Sequence, residues 1–285
     1  MKIVKISIIL FFLVMLILYL FFFKKINKND LNSIKDYTEN EIIENEYTDF
    51  ESLGNKIKED KTENDIKSNQ TEENKESEKE NMVENKNIND QNRPRSIKIK
   101  VPFTSQAPTG NWDQLHEEAC EETSLLMIKY HKDGRELVLS SEAEKDIQQI
   151  SQYIKNNLSN KEDLNINELK ELSEKYFKIS NTKIINNPSI EDLEKELSLG
   201  NLIVAPMAGR ELNNPFFKNP GPLYHMLVIS GYDGDKKEFT TQDPGTKRGK
   251  DFIYPYETIL KAIHDFPDKK ENILMGEKRI LVFLK

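Results

Sequence analysis

The strongest constraint on the fold of this chain is a long segment with few apolar side chains that could be buried in a core. Residues 27–95 are rich in Asn, Glu, Lys, Asp and Ser and contain few large apolar side chains. Burial of so little apolar surface does not offset the conformational entropy lost on ordering. We therefore expect 27–95 to form a disordered, solvated tether. The packed core must then lie in residues 96–285, about 190 residues, which is enough for one hydrophobic core.

The segment before the tether has the opposite composition. Residues 6–23 are nearly all Ile, Leu, Phe, Val and Met, and about 18 such residues cross a bilayer core of roughly 30 Å. Lys24 and Lys25 follow, without a small-residue cleavage pattern, which predicts an uncleaved signal anchor over 1–26. Lysines flank both sides, so the positive-inside rule is nearly balanced. The short basic head favours a single-pass cell membrane protein with an extracytoplasmic domain.

Charge and cysteine content limit the partners and the covalent cross-links that this chain can have. The net charge of −8 and the acidic tether argue against a nucleic-acid partner. A single cysteine excludes an internal disulfide and leaves the compartment undecided. No metal or organic cofactor is expected, and the oligomeric state stays open.

Hydrophobic periodicity within 96–285 predicts helices first and strands afterwards, which is typical of an α+β fold. Ser141 with Glu144 resembles a capping box, and Ser189 is a candidate N-cap. The predicted helices are 120–131, 141–157, 165–177, 190–199 and 257–264. The predicted strands are 97–103, 201–207, 224–232, 238–242 and 279–284.

Cys120 opens the first of these helices and is the leading candidate for chemistry. A cysteine attacks carbonyl carbon as the thiolate, so its pKa must fall from about 8.5. A helix N-terminus and a neighbouring His⁺ both lower that pKa. His225 on a predicted strand could approach the thiol, and Asp243 at the end of the next strand could orient the imidazole. The order of these residues predicts a cysteine-nucleophile hydrolase.

Three runs of sequence carry a family resemblance. Residues 101–106 with 119–127 resemble the start of C39-like cysteine peptidases, papain-fold proteins related to the domains that cut double-glycine leader peptides. Residues 224–233 resemble their histidine strand, and 241–246 their aspartate turn. The resemblance covers nearly all of 96–285 and implies a papain-like fold, with a Cys helix followed by an antiparallel sheet. It implies Cys120 as nucleophile, His225 as base and Asp243 as orienting residue.

Two features of this resemblance are unresolved. The oxyanion donor is either Gln114, which has the papain-like spacing from Cys120, or Gln106, which matches the Val-Pro-x-x-Ser-Gln opening. The usual glycine after the nucleophile is Glu121 here, which suggests a changed specificity. On an ideal helix Glu121 and Glu122 point away from Cys120, so we expect both to face solvent or the rim of the cleft.

Several further residues are candidates for substrate binding because they flank the triad. His116 precedes Cys120 by one helical turn, but two ligands are too few for a metal site. Arg210 and Asn213 lie in a turn-rich segment before the histidine strand, where specificity residues often occur. The full candidate set is Trp112, His116, Glu121, Arg210, Asn213 and Tyr224.

The predicted function is that of a membrane-tethered cysteine peptidase acting on a peptide or protein substrate through an acyl-enzyme. One alternative is a catalytically silent papain-like module that binds peptide or cell-wall material. Another is an acyltransferase or transpeptidase that uses the same triad. The sequence does not identify the substrate.

Overall fold

The structure is a computed structural model that describes residues 93–158 and 162–285. The predicted anchor and nearly all of the predicted tether lie outside the described residues. Within the described part, no helix has the length and apolar character needed to cross a membrane.

The described residues form an α+β fold in which most helices precede most strands. The helices are α1 (Gln114–Glu117), α2 (Cys120–Lys132), α3 (Ser140–Asn157), α4 (Ile166–Lys175), α5 (Ile190–Ser198) and α6 (Tyr256–Ala262). The strands are β1 (Ser96–Lys98), β2 (Thr182–Asn186), β3 (Leu202–Ala208), β4 (Tyr224–Asp233), β5 (Glu238–Gln242), β6 (Phe252–Pro255) and β7 (Arg279–Phe283). Two 3₁₀ helices cover Gly209–Leu212 and Lys270–Met275.

All seven strands belong to one antiparallel sheet with the order β2-β7-β3-β4-β5-β6, and β1 pairs with β4 outside this path. Strand β4 is central, and nine of its ten residues are buried. The register of β4 and β5 shifts between Ile229 and Gly231. A Cβ on Gly231 would lie 2.3 Å from the Ile97 carbonyl oxygen, so only glycine lets β1 pair with β4 at this point.

Two hydrophobic clusters cover the two faces of the sheet. The first contains the apolar faces of α2, α3 and α4 together with Tyr224, Met226 and Val228. The second contains α5, α6 and the alternate β4 residues Leu227 and Ile229. Since successive strand residues point to opposite faces, β4 contributes to both clusters. Its first residues, Tyr224 and His225, therefore begin on different faces.

Most of the predicted helices are confirmed. Helix α5 begins after Ser189, whose side chain accepts a hydrogen bond from the Asp192 N–H within a capping box. Helix α4 has a similar box between Asn165 and Glu168. The capping box predicted at Ser141 is wrong, because α3 already begins at Ser140 with Leu139 as its N-cap. Glu144 instead accepts a hydrogen bond from Thr109.

The predicted strands 201–207, 224–232, 238–242 and 279–284 are confirmed to within a residue or two of their ends. The first strand is shorter than predicted, because only Ser96–Lys98 pairs with β4. Strands β2 and β6 and helix α1 were not predicted. The two strands are short and half-buried, so neither gives a clear apolar period.

Candidate active site

Cys120 is the first residue of α2, and its N-cap, Ala119, makes no side-chain capping bond. The backbone N–H and the hydroxyl of Thr123 both bond the Ala119 carbonyl oxygen, at 3.1 and 2.6 Å, which fixes the first turn. The side chain is buried in the first cluster. The structure thus places the thiol at the positive end of a thirteen-residue helix.

The Cys120 thiol donates its hydrogen bond to a carboxylate oxygen. Its Sγ lies 3.0 Å from Glu121 Oε2, and the other oxygen, Oε1, accepts from the Leu164 N–H at 3.0 Å. Glu121 is only 1% exposed and Glu122 is also buried. The prediction that both face solvent or a cleft rim is therefore wrong, since the Leu164 N–H and Ser151 hold them inside.

Acidic groups surround this thiol. Glu122 accepts a bond from the Ser151 hydroxyl at 2.8 Å, and Asp163 pairs with Lys270 at 3.2 Å. Burial, followed by the negative charge of Glu121, raises the pKa of Cys120 well above its ordinary value. Burial and neighbouring acids likewise raise the pKa of Glu121, and burial raises that of Glu122 to about 7. The thiol is therefore protonated in this arrangement.

His225 and Asp243 form a second cluster of polar groups. The His225 Nε2 lies 2.8 Å from Asp243 Oδ1, which also accepts the Gly245 N–H at 2.9 Å. The other oxygen, Oδ2, accepts from Asn214 Nδ2 at 3.1 Å and from the Tyr254 hydroxyl at 2.7 Å. The carboxylate of Asp243 has no exposed surface and is bound by four donors.

These donors keep Asp243 ionised. Burial alone would raise the pKa of Asp243, but the charge and hydrogen bond of His225, with the bonds from Tyr254 and Gly245, lower it below its ordinary value. An ionised carboxylate requires the proton of His225 to be on Nε2. The nitrogen left for proton transfer is then Nδ1.

The imidazole of His225 is also held by packing contacts. Its ring packs edge-on against Phe217 at a centroid distance of 5.2 Å. A Cβ added to Gly245 would lie 2.8 Å from the His225 Cε1 atom. Phe217 and Tyr254 belong to the second hydrophobic cluster, whereas Cys120 and Tyr224 belong to the first.

Gln106 links the two groups of residues. Its backbone N–H donates to the Pro244 carbonyl at 2.9 Å, next to Asp243. Its side-chain Nε2 donates to the carbonyls of His116 and Glu117, at 2.7 and 3.1 Å, just before the Cys120 helix. Both residues are described, and no hydrogen bond joins Cys120 directly to His225. Gln106 thus connects the segment before Cys120 with the segment after Asp243. The thiol itself is bound to Glu121 and the imidazole to Asp243.

Comparison with known proteins assigns the chain to a family. The sequence profile described as the Peptidase_C39 like family matches residues 98–265, which is more than half of the chain. The chain belongs to the Peptidase_C39-like family. The matched span contains Cys120, His225 and Asp243, and this membership confirms the resemblance drawn from the sequence.

One solved structure and the curated proteins complete the comparison. A crystal structure from Bacillus anthracis, described as that of a putative C39-like peptidase, shares 20% identity at a TM-score of 0.43. The alignment covers 66% of this chain and 98% of that one. None of the curated proteins matches the sequence.

The two candidate oxyanion glutamines of this C39-like domain lie in different environments. Gln114 is exposed on α1. Gln106 is buried, and both of its amide hydrogens are directed at carbonyl oxygens while its Oε1 has no partner. Gln106 therefore braces the turn before Cys120, and the choice of oxyanion donor stays a prediction.

Two further predicted binding residues lie just before Cys120. Trp112 is 39% exposed, as a substrate contact would require. His116 is buried, with Nδ1 at 2.7 Å from Asp113 and Nε2 at 2.9 Å from Glu144. His116 thus ties α1 to α3. In the described ranges, no group of three or more His, Cys, Asp or Glu residues is arranged to hold a metal ion.

The remaining predicted residues lie before the histidine strand β4 or at its first position. Arg210 is exposed and donates to the Gly221 carbonyl, and Asn213 adopts a left-handed conformation at the end of a 3₁₀ helix. Tyr224 is buried, and its hydroxyl donates to the Leu164 carbonyl at 2.8 Å.

Sequence reasoning missed Asn214 and Tyr254, which bind Asp243 directly. Asn214, the residue after the predicted Asn213, is the asparagine that reaches the carboxylate. No sequence signal separates two consecutive asparagines. Tyr254 lies on β6, a strand that was itself not predicted.

Proposed function

We propose that this chain is a cysteine peptidase that hydrolyses peptide bonds with Cys120 as nucleophile, His225 as base and Asp243 as orienting residue. The observation that carries the proposal is the bond between His225 Nε2 and Asp243 Oδ1 at 2.8 Å. It fixes the tautomer with the basic lone pair on Nδ1, as a base for a nearby thiol requires.

The chemistry follows from these protonation states. His225 Nδ1 takes the thiol proton, and the thiolate forms a bond to the carbonyl carbon of the substrate. The imidazolium then gives the proton to the amine nitrogen as the C–N bond breaks. Water, deprotonated by the same Nδ1, attacks the resulting thioester and releases the carboxylic acid. The backbone N–H of Cys120, with Gln114 or Gln106, is the proposed donor set for the oxyanion.

We also propose that residues 6–23 anchor the protein in the cell membrane and that the peptidase domain is extracytoplasmic. Support comes from the apolar composition of 6–23 and the charged composition of 27–95. A tether of about 70 residues would let the domain search a volume near the membrane for peptide or protein substrates.

The test is cleavage of a mixed peptide library by the full chain. New amino and carboxyl termini are identified by mass spectrometry for the parent, Cys120→Ser and His225→Ala proteins. Products from the parent alone support the proposal, and products with an added amine at the new carboxyl end indicate acyl transfer instead. Cleavage that survives in Cys120→Ser would refute Cys120 as the nucleophile.

The second candidate is a catalytically silent module that binds peptide or cell-wall material. The observation that favours it is the thiol bound to Glu121 rather than to His225. It predicts retained binding of peptides in the parent and Cys120→Ser proteins, without any product that depends on Cys120.

A further inference from the structure

One buried carboxyl group near the nucleophile has no part in the triad. Glu121 directs Oε2 at the Cys120 sulfur at 3.0 Å and Oε1 at the Leu164 N–H at 3.0 Å. Its carboxyl is therefore fixed at both oxygens, on a side chain that is 1% exposed. A residue this closely aligned with a sulfur atom is placed to exchange a proton with it.

Charge determines how many protons the pair holds. A thiolate and a carboxylate in a buried site at 3.0 Å cannot both be ionised at neutral pH, because like charges at this distance repel strongly. At least one proton therefore stays on Cys120 or Glu121 across the neutral range, and in the singly charged form of the pair the two groups share it.

The groups around Cys120 and Glu121 do not allow both residues to be ionised at once. Glu122 on α2 and Asp163 in the loop before α4 are acidic and raise the pKa values of both members. Tyr224 on β4 faces them as a neutral phenol, since burial raises its pKa well above the ordinary value. The nearby cation, Lys270, is paired with Asp163 and Glu118. The neighbouring groups that act on the pair are thus acidic or neutral.

We propose that Glu121 is a second acid–base residue of the active site, which takes the Cys120 proton when the thiolate forms in the free protein. In this step the S–H bond breaks, an O–H bond forms on Oε2, and the electron pair stays on sulfur. The new carboxylic acid then donates to the thiolate. This role rests on the proposed function of Cys120 as nucleophile. Glu121 is the acceptor of the thiol proton in the free protein, whereas His225 Nδ1 remains the acceptor in the attack on a bound substrate.

The test is a thiolate titration, followed by the ultraviolet absorbance of the thiolate with Cys120→Ser as the blank. Because the chain has one cysteine, the difference signal belongs to Cys120 alone. A shared proton predicts that the parent thiolate appears in two steps, as a coupled pair titrates. Glu121→Gln should leave one step, with a midpoint about one pH unit or more below the upper step of the parent.

Glu122→Gln is the matched control, since Glu122 is a buried acid on the same turn whose partner is Ser151 rather than the thiol. It should keep both steps. A single step in the parent would overturn the proposal, and so would the loss of a step in Glu122→Gln. The parent curve decides the matter even if Glu121→Gln fails to fold. Since no substrate is used, a negative peptide-cleavage result would leave this titration interpretable.

Discussion

Two buried carboxyl groups lie beside the proposed catalytic residues, and their pKa values are shifted in opposite directions. Asp243 is bound by four donors, among them His225, and its pKa is lowered. Glu121 has one backbone N–H and one thiol as donors, with Glu122 and Asp163 nearby, and its pKa is raised. Burial is common to both, so the donors and neighbouring charges decide which group is ionised.

This difference predicts how stability depends on pH. Asp243 has a folded pKa below its ordinary value of 3.8, so its contribution is present above that pH and is lost as pH falls through the folded pKa. Glu122 has a pKa raised from 4.5 to about 7, so the folded state binds its proton more tightly. The contribution of Glu122 to the free energy of unfolding is present below pH 4.5 and is lost as pH rises towards 7.

The largest expected effect is that of Asp243→Asn. The NH2 group of the new asparagine would face donors that now bind the Asp243 carboxylate. The side chain would also no longer hold His225 in the tautomer that leaves Nδ1 unprotonated. Peptide cleavage should fall by about 10⁴-fold, as for other triads that lose their carboxylate. Asp233→Asn, at the half-buried end of β4, is the control and should retain activity. A loss below about tenfold in Asp243→Asn would contradict an orienting role.

Gln106→Ala and Gln114→Ala separate the two glutamines. Gln106 holds the carbonyls before Cys120, whereas Gln114 is exposed. We expect Gln106→Ala to lower peptide cleavage by about 10²-fold, because the turn before Cys120 would lose its brace and the thiol would shift. Gln114→Ala should stay within about twofold of the parent. The reverse order of effects would assign the oxyanion site to Gln114.

Glu122→Gln tests the acidic cluster through stability. The parent should lose on the order of 3 kcal/mol of unfolding free energy between about pH 4.5 and pH 7 as this group ionises. Glu122→Gln should flatten that part of the profile, measured by denaturant unfolding at a series of pH values. An unchanged slope would mean that another group dominates in this range.

Gly245→Ala tests how closely the imidazole is packed. The new methyl group would lie 2.8 Å from His225 Cε1 and 2.9 Å from Phe217, so the ring must move. A shift of about 1 Å at a catalytic group can cost about 10²-fold in rate. Gly234→Ala is the control at the far end of the hairpin, where the nearest atom is a carbonyl oxygen at 3.1 Å. Equal activities would show that the ring has room to adjust.

Much of the fold was predictable from local sequence. The capped helix after Ser189 and the buried strands β3 and β4 have strong apolar patterns. All three elements are present in the structure. Strand β6 was missed because its half-exposed pattern is short. The capping box at Ser141 was wrong because α3 begins one residue earlier, where a leucine precedes it.

The residues that surround the proposed triad were less predictable than the triad residues themselves. Three motifs in the right order predicted Cys120, His225 and Asp243 as the triad, and the structure places His225 beside Asp243. The burial of Glu121 was not predictable from helical geometry, since it depends on the Leu164 N–H in a loop more than forty residues away. Asn214 and Tyr254 converge on Asp243 from two distant segments, and only the tertiary fold brings them together.

The central claim is that Cys120 and His225 act as one catalytic unit. The most direct measurement is the rate at which a peptidyl epoxide labels the single cysteine at neutral pH in the parent and His225→Ala proteins. Opening the epoxide requires a thiolate and a proton donor, so the account predicts that His225→Ala slows labelling by about 10²-fold or more. Equal labelling rates in the two proteins would contradict it.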